Sequence, residues 1–272
     1  MNDFVLLHSG YNIPVIGLGT YLTPPEETKR CVLHALKAGY RHIDTARFYF
    51  NEAEVGEAVI ESGIPRSDIF ITTKIWTTDC YYDKAIEAVK ESLSKLKTEY
   101  IDMVLIHWPP VNEDLKNTWR ALEDMVEGGL IRTIGMSNFK EHHLERVIDI
   151  AKIMPSVNQV ECHPWFQQKA LREFCLQYDI AVEAWAPLLR TRVFKEKTIK
   201  SLSEKYCKTP AQIILRWDIQ EGIITIPKST HEERIEENFS IFNFELSEED
   251  MECIRSIDKN KRYFRDPDGH GF

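Results

Sequence analysis

Eight short apolar runs, each followed by a longer stretch whose apolar positions recur at helical spacing, organise the chain. Strand-sized runs alternating with amphipathic helices leave few solutions, because strands joined through helices pair in parallel and bury both faces of their sheet. The runs fall at residues 15–19, 41–43, 69–74, 102–106, 131–135, 157–160, 181–184 and 223–226. Helices are expected at 25–38, 52–62, 83–97, 115–127, 141–151, 169–178, 195–207 and 210–220. Two more follow the last strand, at 232–238 and 247–257. Pro25 and Glu26 suit a first helical turn and Gly39 a helix end. Ahead of the first unit, two apolar runs flank His8-Ser9-Gly10, a turn signal. The expected architecture is α/β: a closed (β/α)8 TIM barrel with an N-terminal β-hairpin cap and two extra helices. An open doubly wound sheet is the rival, but no G-x-G-x-x-G follows any run.

Length and composition fit one unit. A chain of 272 residues with 43% hydrophobic content can bury a large core, and α/β barrels take about 250 residues. A single domain over 1–272 is therefore expected. With 34 basic and 43 acidic residues the net charge is −9, which disfavours binding to nucleic acid or anionic membrane. The six cysteines lack paired spacing, the N-terminus lacks a signal-peptide pattern, and no segment reaches about 20 apolar residues. These features lead us to expect a reduced, cytoplasmic protein whose barrel closes as a monomer.

A parallel barrel carries its active site at the C-terminal ends of the strands. There the sequence places Asp44 and Tyr49 after the second run, Lys74 at the third and His107 after the fourth. Ser137 and Asn138 follow the fifth, Gln159 and Glu161 end the sixth, and Lys228 and Ser229 follow the eighth. Tyrosine is a weak acid, with a reference pKa of about 10. A lysine beside it is expected to lower that value, and an aspartate to hold the lysine. A histidine can donate to a developing oxyanion. Location alone does not name a reaction. Tyr49 lies in the aromatic run Phe48-Tyr49-Phe50 and could serve packing, while Lys74 could instead be a Schiff-base lysine of a lyase or aldolase. A non-catalytic cofactor-binding protein is a third reading.

The stretch GYRHIDTARFYFNEAEVGEA at 39–58 resembles the first signature of the aldo-keto reductase family. ITTKIW (71–76), LIHWP (105–109), IRTIGMSNF (131–139), NQVECHP (158–164) and ITIPKST (224–230) continue the likeness in order, over about residues 4–265. The likeness is nearest to the small bacterial and protozoan members with short external loops. The resemblance implies an NADPH-dependent reductase of aldehydes or ketones. Its catalytic tetrad falls on Asp44, Tyr49, Lys74 and His107, with Tyr49 the proton donor. It places the cofactor against Gly19, Thr20, Asp44, Ser137, Asn138, Gln159, Trp185, Ala186, Leu188, Ile226 and Pro227. Lys228, Ser229, Thr230, Arg234, Glu237 and Asn238 match the adenosine-phosphate segment, where two cations favour a 2′-phosphate and hence NADPH over NADH. The acidic character of HEERIEEN opposes that preference.

Two places depart from the family pattern. The loop after Trp185 has no glycine and has Ala186 where a serine is usual, which weakens a backbone grip on pyrophosphate; Arg190 and Arg192 offer charge instead. Arg47 and Phe48 replace small residues, and Arg47 is free to meet acidic substrates or water. Tyr21, Phe48, Trp76, His107 and Trp108 are expected to wall the substrate pocket. The irregular tail after Ile257 is short, so the pocket is expected to be open and permissive. Ser137-Asn138 also reads as a cap for the next helix, and Ser247 as a helix start. His142 and His143, adjacent on a helix, are expected to face apart, and no metal is expected.

Overall fold

The computed structural model describes residues 3–111 and 114–269. The expected hairpin forms first: β1 (Phe4–Leu6) pairs antiparallel with β2 (Asn12–Pro14), and Gly10 takes φ +85° in the turn. Eight parallel strands then form one sheet: β3 (Leu18–Gly19), β4 (His42–Asp44), β5 (Phe70–Ile75), β6 (Ile101–Ile106), β7 (Ile131–Ser137), β8 (Val157–Glu161), β9 (Ala181–Trp185) and β10 (Ile224–Thr225). Each pairs with its neighbour in chain order. The sheet closes where Ile16 bridges Thr225 in parallel, Thr225 N donates to Val15 O and Gly17 N to Thr225 O. A Cβ on Gly19 would sit 3.0 Å from Ile226 O, so the close approach of the strands at this closure favours glycine.

The helices follow the expected order: α1 (Pro25–Ala38), α2 (Glu52–Glu61), α3 (Tyr82–Leu96), α4 (Leu115–Glu127), α5 (Glu141–Ile148), α6 (Lys169–Gln177), α7 (Lys197–Tyr206), α8 (Pro210–Gln220), α9 (Glu232–Phe239) and α10 (Glu248–Arg255). Ser247 caps α10 through Asp250 N, and Thr209 and Gln212 form a reciprocal box at α8. The main departures lie at the ends of elements. The first and last strands are shorter than expected, because their outer residues make the seam between β3 and β10. Asp44, Ser137 and Glu161 lie within strands rather than beyond them, and β5 continues past Lys74, because ladder bonding runs on to the lumen mouth.

Period-two alternation sorts the strand residues. Ile71, Ile75, Val104 and Ile106 face the helices and join the large core. Phe70, Met103, Leu105, Val157 and Ile224 form a second, smaller core with Leu7 and Ile13 of the hairpin. The hairpin thus plugs the bottom of the lumen. Burying its Leu and Ile contributes about 1.5–3 kcal/mol each. Above this plug the lumen becomes polar, with His42, Thr72 and Glu183, then Asp44, Lys74 and Gln159, all buried. No helix among the described residues is long and apolar enough to cross a membrane.

Candidate active site

Lys74 is the centre of the polar layer. Its ammonium donates to both Asp44 oxygens at 2.7 Å and to Thr45 O at 2.9 Å, and lies 3.4 Å from the Tyr49 hydroxyl. Three donors meet three short acceptors, so no lone pair faces the cavity for attack on a carbonyl. Thr20 Oγ1 donates to Asp44 O, and Asn51 links the loops through Thr20 O, Thr23 O and the Thr45 hydroxyl. These bonds fix the turn that delivers Tyr49 from a short 3₁₀ segment, Arg47–Tyr49. Thr20 is thereby a brace beneath the site rather than part of its wall.

Tyr49 OH lies 3.5 Å from His107 Nε2. Burial pushes the Tyr49 phenol well above its ordinary value, and the Asp44 charge adds to that. The expected lowering by Lys74 does not arise, because the ammonium is matched at close range by Asp44. The phenol keeps its proton at neutral pH. Burial, helped by Lys74, holds His107 well below the usual histidine range, so the ring is neutral. Two protonatable atoms 3.5 Å apart can both reach one oxygen at hydrogen-bond distance.

These groups floor a cavity of about 650 Å³. Its lining includes all five expected pocket aromatics and histidine: Tyr21, Phe48, Trp76, His107 and Trp108. Phe48 stacks on Trp76 at 4.0 Å, and Trp76 meets His107 edge-on at 5.1 Å. Gly19, Ser137, Asn138, Gln159, Trp185, Ala186, Leu188, Ile226, Pro227 and Lys228 line it as well. Asn138 does not cap α5; Lys140 takes that place. At φ +66°, Asn138 turns its amide inward, donating to His107 O and accepting from Trp185 Nε1 at 2.8 Å. One side chain thus ties the histidine loop to the indole plane.

The segment after β10 divides. Lys228 enters the cavity, whereas Ser229 closes a turn onto His231 N and the Thr230 carbonyl accepts from Arg30. Glu237 accepts from Thr209, and Asn238 is buried. The acids of α9 are largely spent: Glu232 pairs with Arg30 and His34, and Glu236 with His34. Arg234 is exposed, with no ion pair among the described residues.

Three expectations need correction. Arg47 is committed to Asp79 and Glu91 rather than facing water alone, and it is not among the residues that line the cavity. The rings of His142 and His143 do not face apart but lie 4.0 Å apart, both bending toward Asp268 Oδ1. His143 Nδ1 accepts from Lys140 N and burial lowers its pKa to about 4, so the neutral ring donates from Nε2 to Asp268. The tail is irregular yet shapes the pocket: Phe264 and Arg265 line the cavity, and Phe264 meets Trp185 edge-on at 5.2 Å. Buried Glu161 holds it by accepting from Tyr263 N and Phe264 N. The residues between the apolar run of the tail and its acids carry no periodicity, so nothing in the sequence pointed to this path.

Sequence reasoning also missed Glu183. Gln159 Nε2 donates to Asp44 Oδ2 at 2.8 Å and to Glu183 Oε2 at 2.6 Å. The available signal was a lone carboxylate in an otherwise apolar run, AVEAW, at a position whose alternation faces the lumen. The glycine-free loop adopts left-handed φ at Ala186, Leu189, Arg190 and Thr191, a strained path that glycine would relieve. Arg190 lines the cavity and lies over Phe264.

A family model described as "Aldo/keto reductase family" matches residues 15–259. The chain is 46% identical to a 9,11-endoperoxide prostaglandin H2 reductase of Trypanosoma cruzi, over 97% of this chain and 94% of that protein. It is 46% identical to a glyoxal reductase of Bacillus subtilis, over 98% and 97%. Among solved structures, MGS-M4, an aldo-keto reductase from a deep-sea metagenome, superposes with a TM-score of 0.96 at 43% identity, covering 99% of this chain and 100% of the other.

Proposed function

The chain belongs to the aldo/keto reductase family, and from that premise we propose that it reduces aldehydes or ketones with NADPH, Tyr49 giving the proton. The observation that carries this reading is the pair of donors on the cavity floor, Tyr49 OH and His107 Nε2, 3.5 Å apart above the Lys74–Asp44 pair. The residues present fit a nicotinamide: a hydroxyl, two amides and an indole face cluster as Ser137, Asn138, Gln159 and Trp185. When bound, the reduced nicotinamide supplies the hydride.

His107, neutral, donates from Nε2 to the carbonyl oxygen and fixes its direction. Tyr49 holds its proton until negative charge develops on that oxygen, then passes it over. Lys74 steadies the phenolate that is left, and Asp44 keeps the ammonium in place. At the other end of the cavity Lys228, with Arg234 on α9, offers charge to a 2′-phosphate. The aromatic wall of Phe48, Trp76 and Trp108 suits flat or apolar carbonyl compounds. The relatives' names mention glyoxal and a prostaglandin endoperoxide, and small dicarbonyls head the panel to assay. A Schiff-base lyase would need a free amine at Lys74, which its three short hydrogen bonds oppose.

The test is Tyr49→Phe. Turnover of NADPH with an aldehyde should fall by about 10²–10⁴, while the affinity for NADPH measured by tryptophan quenching stays within about twofold. Retained turnover, or turnover and binding lost together, would count against Tyr49 as the acid.

A further inference from the structure

Gln159 can point either end of its amide into the cavity, and the two ends have opposite hydrogen-bonding character. The structure holds one end down. Both N–H groups of Nε2 are taken, one by Asp44 Oδ2 at 2.8 Å and one by Glu183 Oε2 at 2.6 Å. Gln159 lines the cavity, and its Oε1 receives no donor among the described residues. Asp44 has a second task, since both its oxygens bind Lys74. Glu183 has none: it is fully buried, its Oε1 has no hydrogen-bond partner among the described residues, and His42 Nε2 lies 3.7 Å from that oxygen. His42 itself is engaged with Thr72. Among the described residues the charged and titratable groups that act on Glu183 are Asp44, Lys74, His42 and Tyr49, and its hydrogen bond runs to Gln159.

We propose that Glu183 is a positioning residue: it locks Gln159 with the amide oxygen facing the cavity, so that the site selects a ring bearing a primary carboxamide. An oxygen there accepts an N–H of that carboxamide; a flipped Gln159 would oppose N–H to N–H. The proposal rests on the nicotinamide reading of the cavity. It assigns Glu183 no contact with the reacting atoms.

The experiment compares wild type with Glu183→Met, which removes the acceptor at similar length, and Glu183→Gln, which keeps an acceptor. Tryptophan quenching gives the Kd of each protein for NADP+ and for its 3-acetylpyridine analogue, in which a methyl ketone replaces the carboxamide. Wild type should bind NADP+ the more tightly. E183M should weaken NADP+ roughly fivefold, the scale of one net hydrogen bond, and leave the acetyl analogue within about twofold. E183Q should keep the wild-type ratio. If E183M does not fold, E183D, which withdraws the carboxyl by one methylene, carries the same expectation. Equal weakening of both dinucleotides, or an unchanged ratio in E183M, overturns the role of Glu183. Failure of the nicotinamide reading looks different: wild type itself shows no quenching with either dinucleotide, and the proposal falls with it.

Discussion

Lys228 and Arg234 show how a single side chain's meaning depends on its neighbours. The sequence around them is acidic, HEERIEEN, and that composition argued against an anion site. In the fold the acids point away, Glu232 and Glu236 to α1 and Glu237 to Thr209, leaving Arg234 exposed and unpaired among the described residues. Lys228 stands in the cavity wall, with burial holding its pKa below the usual lysine value. Replacing both by Ala should raise the Kd for NADPH by on the order of tenfold to a hundredfold, as expected for two charge-assisted contacts. The Kd for NADH should change by less than about threefold. Equal losses for the two cofactors would remove the 2′-phosphate from the proposal. The four proposed catalytic residues were legible because each lies at or within five residues of the C-terminal end of a strand, and the chemistry of each is distinctive. Glu183 was not, since a carboxylate inside a strand says nothing of its partner until the register sets it beside Gln159.

At the level of elements, the order of strands and helices was legible because burial on both faces imposes it. Their ends were not. Non-glycine residues at positive φ (Asn138, Ala186, Leu189, Arg190, Thr191) shape two of the cavity's loops, and of these only Asn138 is a type that favours such backbone. The tail is the other case. Glu161, fully buried at the end of β8, accepts two tail N–H groups and lies near Arg262, while Lys140 pairs with Asp266 and Asp268. Glu161→Gln keeps the size but leaves one of the two N–H groups short of an acceptor, a cost of about 1–3 kcal/mol. Tail opening should then rise by on the order of tenfold. The measurement is trypsin cleavage at Arg262 or Arg265 under native conditions, with the fragments identified by mass. An unchanged cleavage rate would show that the tail is held by its surface ion pairs alone.

For the whole molecule, the lumen trades stability for a polar floor, and the trade depends on pH. Glu183 is pushed up to about 8 by burial, with the Asp44 charge adding to it. Unfolded, it returns to the ordinary carboxylate value of about 4.3. Between those values the folded state binds the extra proton, so stability falls as pH rises from about 4.3 to about 8 and is flat above. The loss is on the order of a few kcal/mol. Asp44, also raised by burial, acts with the same sign. His42 acts from the other side. Burial and Lys74 lower it to about 3, so its neutral ring is fully stabilising above about 6.5, and that stability is lost as pH falls toward 3. Glu183→Gln removes the first slope and leaves the second. In urea titrations at pH 5 and pH 8, E183Q should gain stability relative to wild type on going to pH 8, by roughly 2 kcal/mol or more. A difference between the two proteins that is the same at both pH values would mean that Glu183 is ionised in the folded barrel, and the lumen would then have to carry two carboxylates against one lysine.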